Sequence, residues 1–468
     1  MKGFYSKPAK RISEQIHHPK TRHFPWQSFL INCLSFLAIV SAGGIVGAML
    51  WVGFWMVIDP DYLLWVNRYL PASHQIPPVQ KNPPQTLTQI KNDLAKVNLQ
   101  MGEIINFGNH LLVPILRPAC QGSCLKIIEL RLYQPLSEQP QLYHLKGLLP
   151  VEDVEESLVL APLVKAGVRE PVATNRLLPL TKITVDTTAP KSGVWLHLTG
   201  QTGILYGRVV HYNPRNGYLS FMAVWSSPNN KMVSWRQENG QPELVVDRSV
   251  GLEPSFQIYQ LQSRDFVPSP LWLVETQLNQ PAIDDQGFHN AIILAKAGLW
   301  SDAAKQIQAL RQSAQWSPLA ESQYALIQLH AQAATAQTKA SWSSPSQILL
   351  AQMVDGAWAE SLKTLESIDN PLHMQEVVNL LNQDRGRLWG RVQASLQINP
   401  NHPEARIWGA LIIGIQHNRA GAIAWLQNPA QFRAKSSNLL ITANSNPQIL
   451  NRLSYYANLL DMGRTGTN

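Results

Sequence analysis

Residues 29 to 58 contain no Asp, Glu, Lys or Arg, and a basic arm stands directly in front of them. As a helix these thirty residues would extend about 45 Å, more than the roughly 30 Å of a hydrocarbon core, so one tilted transmembrane helix over 29–58 is expected. Trp26 on one side and Trp51, Trp55 and Trp65 on the other suit the two interfacial belts. The arm, residues 1–28, carries Lys2, Lys7, Lys10, Arg11, Lys20 and Arg22 against the single acid Glu14, while Asp59 and Asp61 follow the run. That asymmetry keeps the N-terminus cytoplasmic and exports the bulk of the chain. A cleaved signal peptide ending near Ser41-Ala42-Gly43 is the competing reading, and the continuation of the apolar run past that point favours retention. Gly43, Gly44, Gly47 and Ala48 make a small-residue face on this helix, suited to a homodimer or to a larger membrane complex.

The formal net charge of +8 does not mark a nucleic-acid binder. Most of the excess sits in the arm, whereas residues 59–283 hold 19 basic and 18 acidic side chains. No nucleic-acid partner is expected.

Five prolines, Pro71, Pro77, Pro78, Pro83 and Pro84, mark a stalk over 59–85 that favours extended backbone. From 86 to 280 the texture is that of an exported β-rich domain, entered through one short amphipathic helix over Leu87 to Val97. Strands are expected at Lys126 to Tyr133, Thr181 to Val185, Val194 to Leu198, Ile204 to Tyr212, Tyr218 to Trp225, Lys231 to Trp235, Leu244 to Val246 and Ser255 to Leu261. Turn chemistry at Asn213-Pro214-Arg215-Asn216-Gly217 and Ser227-Pro228-Asn229-Asn230 makes neighbouring strands antiparallel, hence a β-sandwich or barrel-like domain. Cys120 and Cys124 bracket a turn between two apolar stretches. A disulfide there suits an exported compartment; free thiols and a redox pair are the alternatives.

Past Pro281 the apolar period lengthens to three or four, and residues 281–468 read as an all-α domain of helical hairpins. Gly298 and Ala303 occupy the turn and the small packing position of one hairpin, Gly356 and Ser361 repeat that pattern, and Ala405 serves a third. The spacing resembles degenerate tetratricopeptide (TPR-like) repeats, although Gly298 and Gly356 do not keep the 34-residue period. Such repeats stack around a groove that takes protein segments. The fold class is therefore multidomain α+β with a transmembrane helix at its start.

No nucleophile elbow, metalloprotease helix, phosphate loop or dinucleotide fingerprint occurs, so no catalytic, cofactor or metal site is expected. His197 and His211 fall on neighbouring strands, and alternation with Leu196 and Leu198 turns His197 to a polar face. The acidic group Glu152, Asp153, Glu155 and Glu156 reads as a solvated loop or a first helical turn. Trp195, Trp225 and Trp235 are candidates for a sugar-stacking row, with core packing the plainer alternative.

The stretches Tyr206-Gly207-Arg208-Val209-Val210-His211-Tyr212-Asn213-Pro214, Val224-Trp225-Ser226-Ser227-Pro228 and Val246-Asp247-Arg248-Ser249-Val250-Gly251-Leu252-Glu253-Pro254 resemble a family of uncharacterised single-pass membrane proteins of oxygenic photosynthetic bacteria. The resemblance spans nearly the whole chain and brings no activity. It implies a compartment: the plasma membrane facing the periplasm, or the thylakoid membrane facing the lumen. The expected function is a non-enzymatic, membrane-anchored scaffold or assembly factor that binds a protein partner, such as a membrane complex, on the exported side. An envelope glycan-binding module and an exported hydrolase are the rivals.

Overall fold

A computed structural model describes residue 51 and residues 83–118, 124–171, 174–238, 240–265, 269–311, 316–427 and 447–465. The basic arm, Gly43, Gly44, Gly47, Ala48 and all of the apolar run except Trp51 lie outside the described residues, as does Cys120. Among the described residues no helix is long and apolar enough to cross a membrane. The chain divides into two compact units, Met1–Pro83 and Pro84–Asn468, and the second holds both the sheets and the helical region.

Strand alternation builds the β part as layers. The first sheet contains β1 (Gln100–Met101), β2 (Ile105–Phe107), β3 (His110–Pro118), β4 (Leu125–Pro135) and β5 (Tyr143–Pro150). A helix, α1 (Leu87–Lys96), covers its outer face, and its start is fixed by a reciprocal cap between Thr86 and Gln89. Val113, Ile115 and Tyr133 point to α1, whereas Leu112, Leu130 and Leu132 point the other way into a second core. That second core is closed by a four-stranded sheet in the order β11 (Tyr218–Ser227), β10 (Leu205–Asn213), β9 (Val194–Gln201) and β8 (Lys182–Asp186). A short pair, β6 (Val154–Glu155) with β7 (Leu177–Leu178), and the helix α2 (Glu156–Lys165) lie between β5 and β8 in the chain, and their Val154, Val159 and Leu178 enter the same core.

The same alternation supplies a third core. Leu196, Leu198, Val210 and Tyr212 face the first sheet, while Trp195, Val209 and Trp225 face a third sheet made of β12 (Ser234–Glu238), β13 (Gln241–Asp247), β14 (Phe256–Ser263) and β15 (Leu271–Glu275). All pairings are antiparallel. Because β9 and β10 are covered on both faces, the expectation that His197 meets solvent fails. It is 3% exposed. Alternation separates solvent from core only in a sheet with one wet face.

Ten of the twelve helices among the described residues follow the last strand. The first hairpin pairs α3 (Gln286–Lys296) with α4 (Trp300–Leu310), and the long α5 (Pro318–Thr338) packs on α4. Next come α6 (Pro345–Asp355), α7 (Trp358–Glu366), α8 (Pro371–Asn382), α9 (Arg387–Ile398), α10 (Pro403–Gln416), α11 (Arg419–Gln427) and α12 (Pro447–Thr465). Five of them begin with proline behind a polar residue, at Ser317-Pro318, Ser344-Pro345, Asn370-Pro371, His402-Pro403 and Asn446-Pro447. There the missing N–H costs nothing and φ is preset for a helix. The helix α5 is buried on most of its circumference: one side joins the helical core through Ala320, Tyr324 and Ile327, and the other meets the third sheet through Leu326 against Val245 and Ile258. Sheet and helices therefore share a seam.

Candidate functional site

That seam is pinned by side chains whose polar groups are spent on backbone. Gln323 of α5 donates from its amide to the carbonyls of Gln277 and Gln280 at 2.8 and 2.7 Å and accepts from the Ala282 N–H at 3.0 Å. It thus fixes the connection from β15 to α3. Seven residues further along α5, His330 accepts at Nε2 from the Phe256 N–H (2.8 Å), and its Nδ1 lies 2.8 Å from the Leu326 carbonyl. Those two partners require Nδ1–H to donate and Nε2 to stay bare, so the imidazole is neutral. Burial lowers its pKa to about 4, outweighing the pull of the Leu326 carbonyl. The Trp300 ring stacks on it at 3.9 Å between centroids.

Between β13 and β14 the chain makes a loop closed by backbone bonds between Val250 and Glu253. Gly251, with φ of +56°, takes the left-handed turn. At its tip Glu253 reaches two arginines of α9, with Arg387 at 2.6 Å and Arg391 at 2.5 Å. The Arg391 side chain is only 4% exposed, and its Nε donates to the Val354 carbonyl at 3.1 Å. Gly298 makes this possible. It ends the α3 turn at φ +86°, and a β-carbon there would stand 2.6 Å from the Arg391 guanidinium. That guanidinium is already committed to Val354 and Glu253, so it has little freedom to retreat.

Beside the loop opens a cleft of about 670 Å³. Its lining includes Lys165 from α2, Arg248 from the loop, Lys296 and Trp300 from the first hairpin, and Glu275 from β15. Five cations line it, Lys165, Arg248, Lys296, Arg387 and Arg391, against the acids Glu253 and Glu275. Glu253 is occupied by its two arginines, and Glu275 accepts from the Gln257 amide at 2.9 Å. Burial draws the Arg248 pKa below the usual arginine range, against the opposing pull of Tyr259 and Glu275. A second cleft of about 690 Å³ lies on the far side of Glu253 and Arg387, with Leu252, Leu350 and Leu388 in its wall.

The residues singled out for repeat packing all lie in the helical region. Ala303, Ser361 and Ala405 are fully buried in the helical region. Ser361 returns its hydroxyl to the Trp358 carbonyl at 2.9 Å, and Gly356 caps α6 at φ +79° with Leu299 packed where a β-carbon would be. Gly298 alone among them borders the cleft. Cys124 is disulfide-bonded.

His197 Nε2 donates to Asp186 at 2.7 Å, and the two side chains are 4% and 8% exposed. Bonds from Thr188 and from His197 hold the Asp186 carboxyl below the usual range, although burial acts in the opposite direction. Neither residue lines the two clefts. His211 meets the Trp195 ring at 4.6 Å between centroids, with the planes tilted by 47°. Trp195 and Trp225 are 1% and 3% exposed, and Trp235 packs on that core, so these three form no exposed row for sugar stacking. Three of the four acids have basic partners, Asp153 with Lys126 at 2.7 Å, Glu152 with Arg208 at 3.6 Å and Glu156, in the first turn of α2, with Arg176 at 3.7 Å, while Glu155 accepts from the Ser157 hydroxyl at 3.3 Å.

The cleft residues were not legible as a group because Lys165, Arg248, Lys296 and Arg391 come from four separated segments. No protein-family model and no curated protein matches the chain.

Proposed function

We propose that this chain is a non-enzymatic scaffold, tethered to a membrane by its apolar run 29–58, that holds a segment of a protein partner on the exported side. The observation that carries the reading is the cleft of about 670 Å³ at the sheet–helix seam, with an aromatic wall at Trp300 and a surplus of cations. Its volume is within the roughly 300–1,000 Å³ of ordinary binding sites. The groove of the helical repeats thus gains a second wall from the β part, and the partner segment lies along that junction. Tethering raises the local concentration of a weakly held partner, so modest affinity suffices.

Two further features support parts of the reading. A disulfide at Cys124 suits an oxidising exported space. The His197–Asp186 pair, buried in a core, lacks the open approach that a hydrolytic site requires. The compartment we assign is the periplasm or the thylakoid lumen, and the small face at Gly43, Gly44, Gly47 and Ala48 is assigned to packing against a second copy or another membrane helix.

The test reverses two exposed cleft charges, Lys165→Glu with Lys296→Glu, in the tagged full chain purified in mild detergent from its native membranes. A discrete partner set is expected with the unaltered chain and is expected to vanish from the variant, whose melting temperature stays within about 2 °C because both side chains are exposed. Retention of the same set by the variant would exclude the cleft as the binding site.

A further inference from the structure

We propose that the seam cleft selects an acidic peptide segment, whose carboxylates are taken by Arg248 together with Lys165 and Lys296. This deepens the scaffold reading and rests on it.

The argument begins with which cations have spare capacity. Arg387 and Arg391 are engaged with Glu253, and Arg391 also donates to Val354. Arg387 donates in addition to the Ala166 carbonyl at 2.6 Å. Lys296 donates once, to the Asn279 carbonyl at 3.2 Å, and keeps two further N–H groups. Arg248 is held in place through its backbone, which donates to the Ser255 carbonyl at 2.7 Å, and its half-buried guanidinium lines the cleft. Glu275 stands near enough to act on it electrostatically but accepts from Gln257. A guanidinium drawn partly out of water keeps five donors in a planar fork that fits a carboxylate. An incoming carboxylate replaces lost hydration and meets two more cations at the rim.

The chain itself supplies the precedent for the ligand class. The loop tip Val250–Glu253 is a short peptide turn, and its one acidic side chain is seated on α9 by two arginines at this same seam. A partner segment with acidic side chains repeats that contact one position along, on the cations that Glu253 leaves open. Trp300 and the aliphatic stem of Lys296 offer apolar surface beside them, so acidic residues interleaved with leucine fit better than an unbroken acidic run.

The experiment uses the full chain in detergent micelles and a fluorescein-labelled probe, Glu-Glu-Leu-Glu-Glu-Leu, read by fluorescence anisotropy. The expected results are saturable binding, at least about tenfold loss with the glutamine counterpart Gln-Gln-Leu-Gln-Gln-Leu, and a similar loss with Arg248→Gln. Arg248→Lys recovers part of it, and Lys339→Gln, at an exposed position outside the cleft, leaves it unchanged. If Arg248→Gln fails to fold, the exposed pair Lys165→Gln and Lys296→Gln carries the same expectation. Equal affinity for the two peptides, or full binding by the charge-depleted variants, overturns the proposal. Competition by free glutarate at the concentration of the peptide itself would assign the site to a small dicarboxylate, and tighter binding of a single-stranded oligonucleotide would assign it to nucleic acid; either result also overturns it. Failure of the peptide alongside loss of partners from the charge-reversed chain defeats this inference and leaves the scaffold reading standing. Retention of partners by that chain defeats the scaffold reading itself.

Discussion

Glu253→Ala is expected to lower the unfolding free energy of the sheet–helix unit by about 3 kcal/mol, because it strands a buried charge. In the native chain Arg391 has two partners, the Val354 carbonyl and Glu253, and its side chain is 4% exposed. Without the carboxylate the guanidinium, packed against Gly298, keeps the Val354 carbonyl and loses its charged partner. Arg387, 40% exposed, turns to water at little cost. Two companions separate this mechanism from simple loss of packing. Glu253→Gln keeps an acceptor and should lose roughly half as much, and adding Arg391→Met to Glu253→Ala should return part of the loss by removing the stranded charge. Urea unfolding followed by near-ultraviolet circular dichroism measures all four chains. A change below about 0.5 kcal/mol for Glu253→Ala would show that the loop tip does not hold the seam.

Acidification should expose two buried groups that oppose each other. His330 has its pKa lowered to about 4 by burial, whereas its unfolded value is near 6.5. The unfolded chain therefore takes the proton first, and stability falls as pH drops from about 6.5 to 4, by about 3 kcal/mol. Asp355 behaves in the reverse sense. Burial raises its pKa to about 6, with Asp302 adding to the rise and the Ser301 hydroxyl resisting it, against an unfolded value near 3.8. The folded chain takes this proton first, so stability rises as pH drops from about 6 to 3.8, again by about 3 kcal/mol.

The two slopes largely cancel in the unaltered chain. Asp355→Asn should uncover the histidine and lose stability steadily on acidification, whereas His330→Gln should uncover the aspartate and gain it. Below about pH 4 the carboxylates held low by their partners, Asp186 and Asp247, take over, and every version loses stability. Unfolding free energies measured between pH 4 and 7 decide the matter. Parallel curves for the two variants would refute the assignment of these pKa values.

Much of the β part could be read from the sequence because strand length, turn residues and β-branched content are local properties. The strand expected at Val194 to Leu198 runs Val194–Gln201, that at Ile204 to Tyr212 runs Leu205–Asn213, and the helix expected from Leu87 ends at Lys96. The burial of His197 was not readable: whether one or both faces of a strand are covered depends on which sheets stack. α5 escaped for a related reason. Its buried residues, among them Gln323, Tyr324, Leu326 and His330, cover most of its circumference, so no narrow stripe marks a single inward face. Its start was nevertheless signalled, since Ser317-Pro318 is one of five polar-residue–proline pairs at helix starts, and weighting those pairs would have placed five helices more securely than a repeat period.

The cleft required the fold. Arg248 and Glu253 stand in the sequence within the stretch Val246 to Pro254, where nothing local sets either apart. Only the docking of α9 against the loop converts them into neighbours, one engaged and one with capacity to spare. Gly298 was expected at the turn of a helical hairpin, and its lack of a side chain also makes room for Arg391.

The central claim, that the seam is where this chain holds its partner, is tested most directly by site-specific photo-crosslinking in native membranes. A photoreactive residue in place of Lys296, at the cleft, should join the full chain to one discrete protein, while the same residue in place of Leu372, 73% exposed on α8, should not. Crosslinks to that protein from position 372 and none from position 296 would contradict the account and move the binding surface to the outer face of the helices.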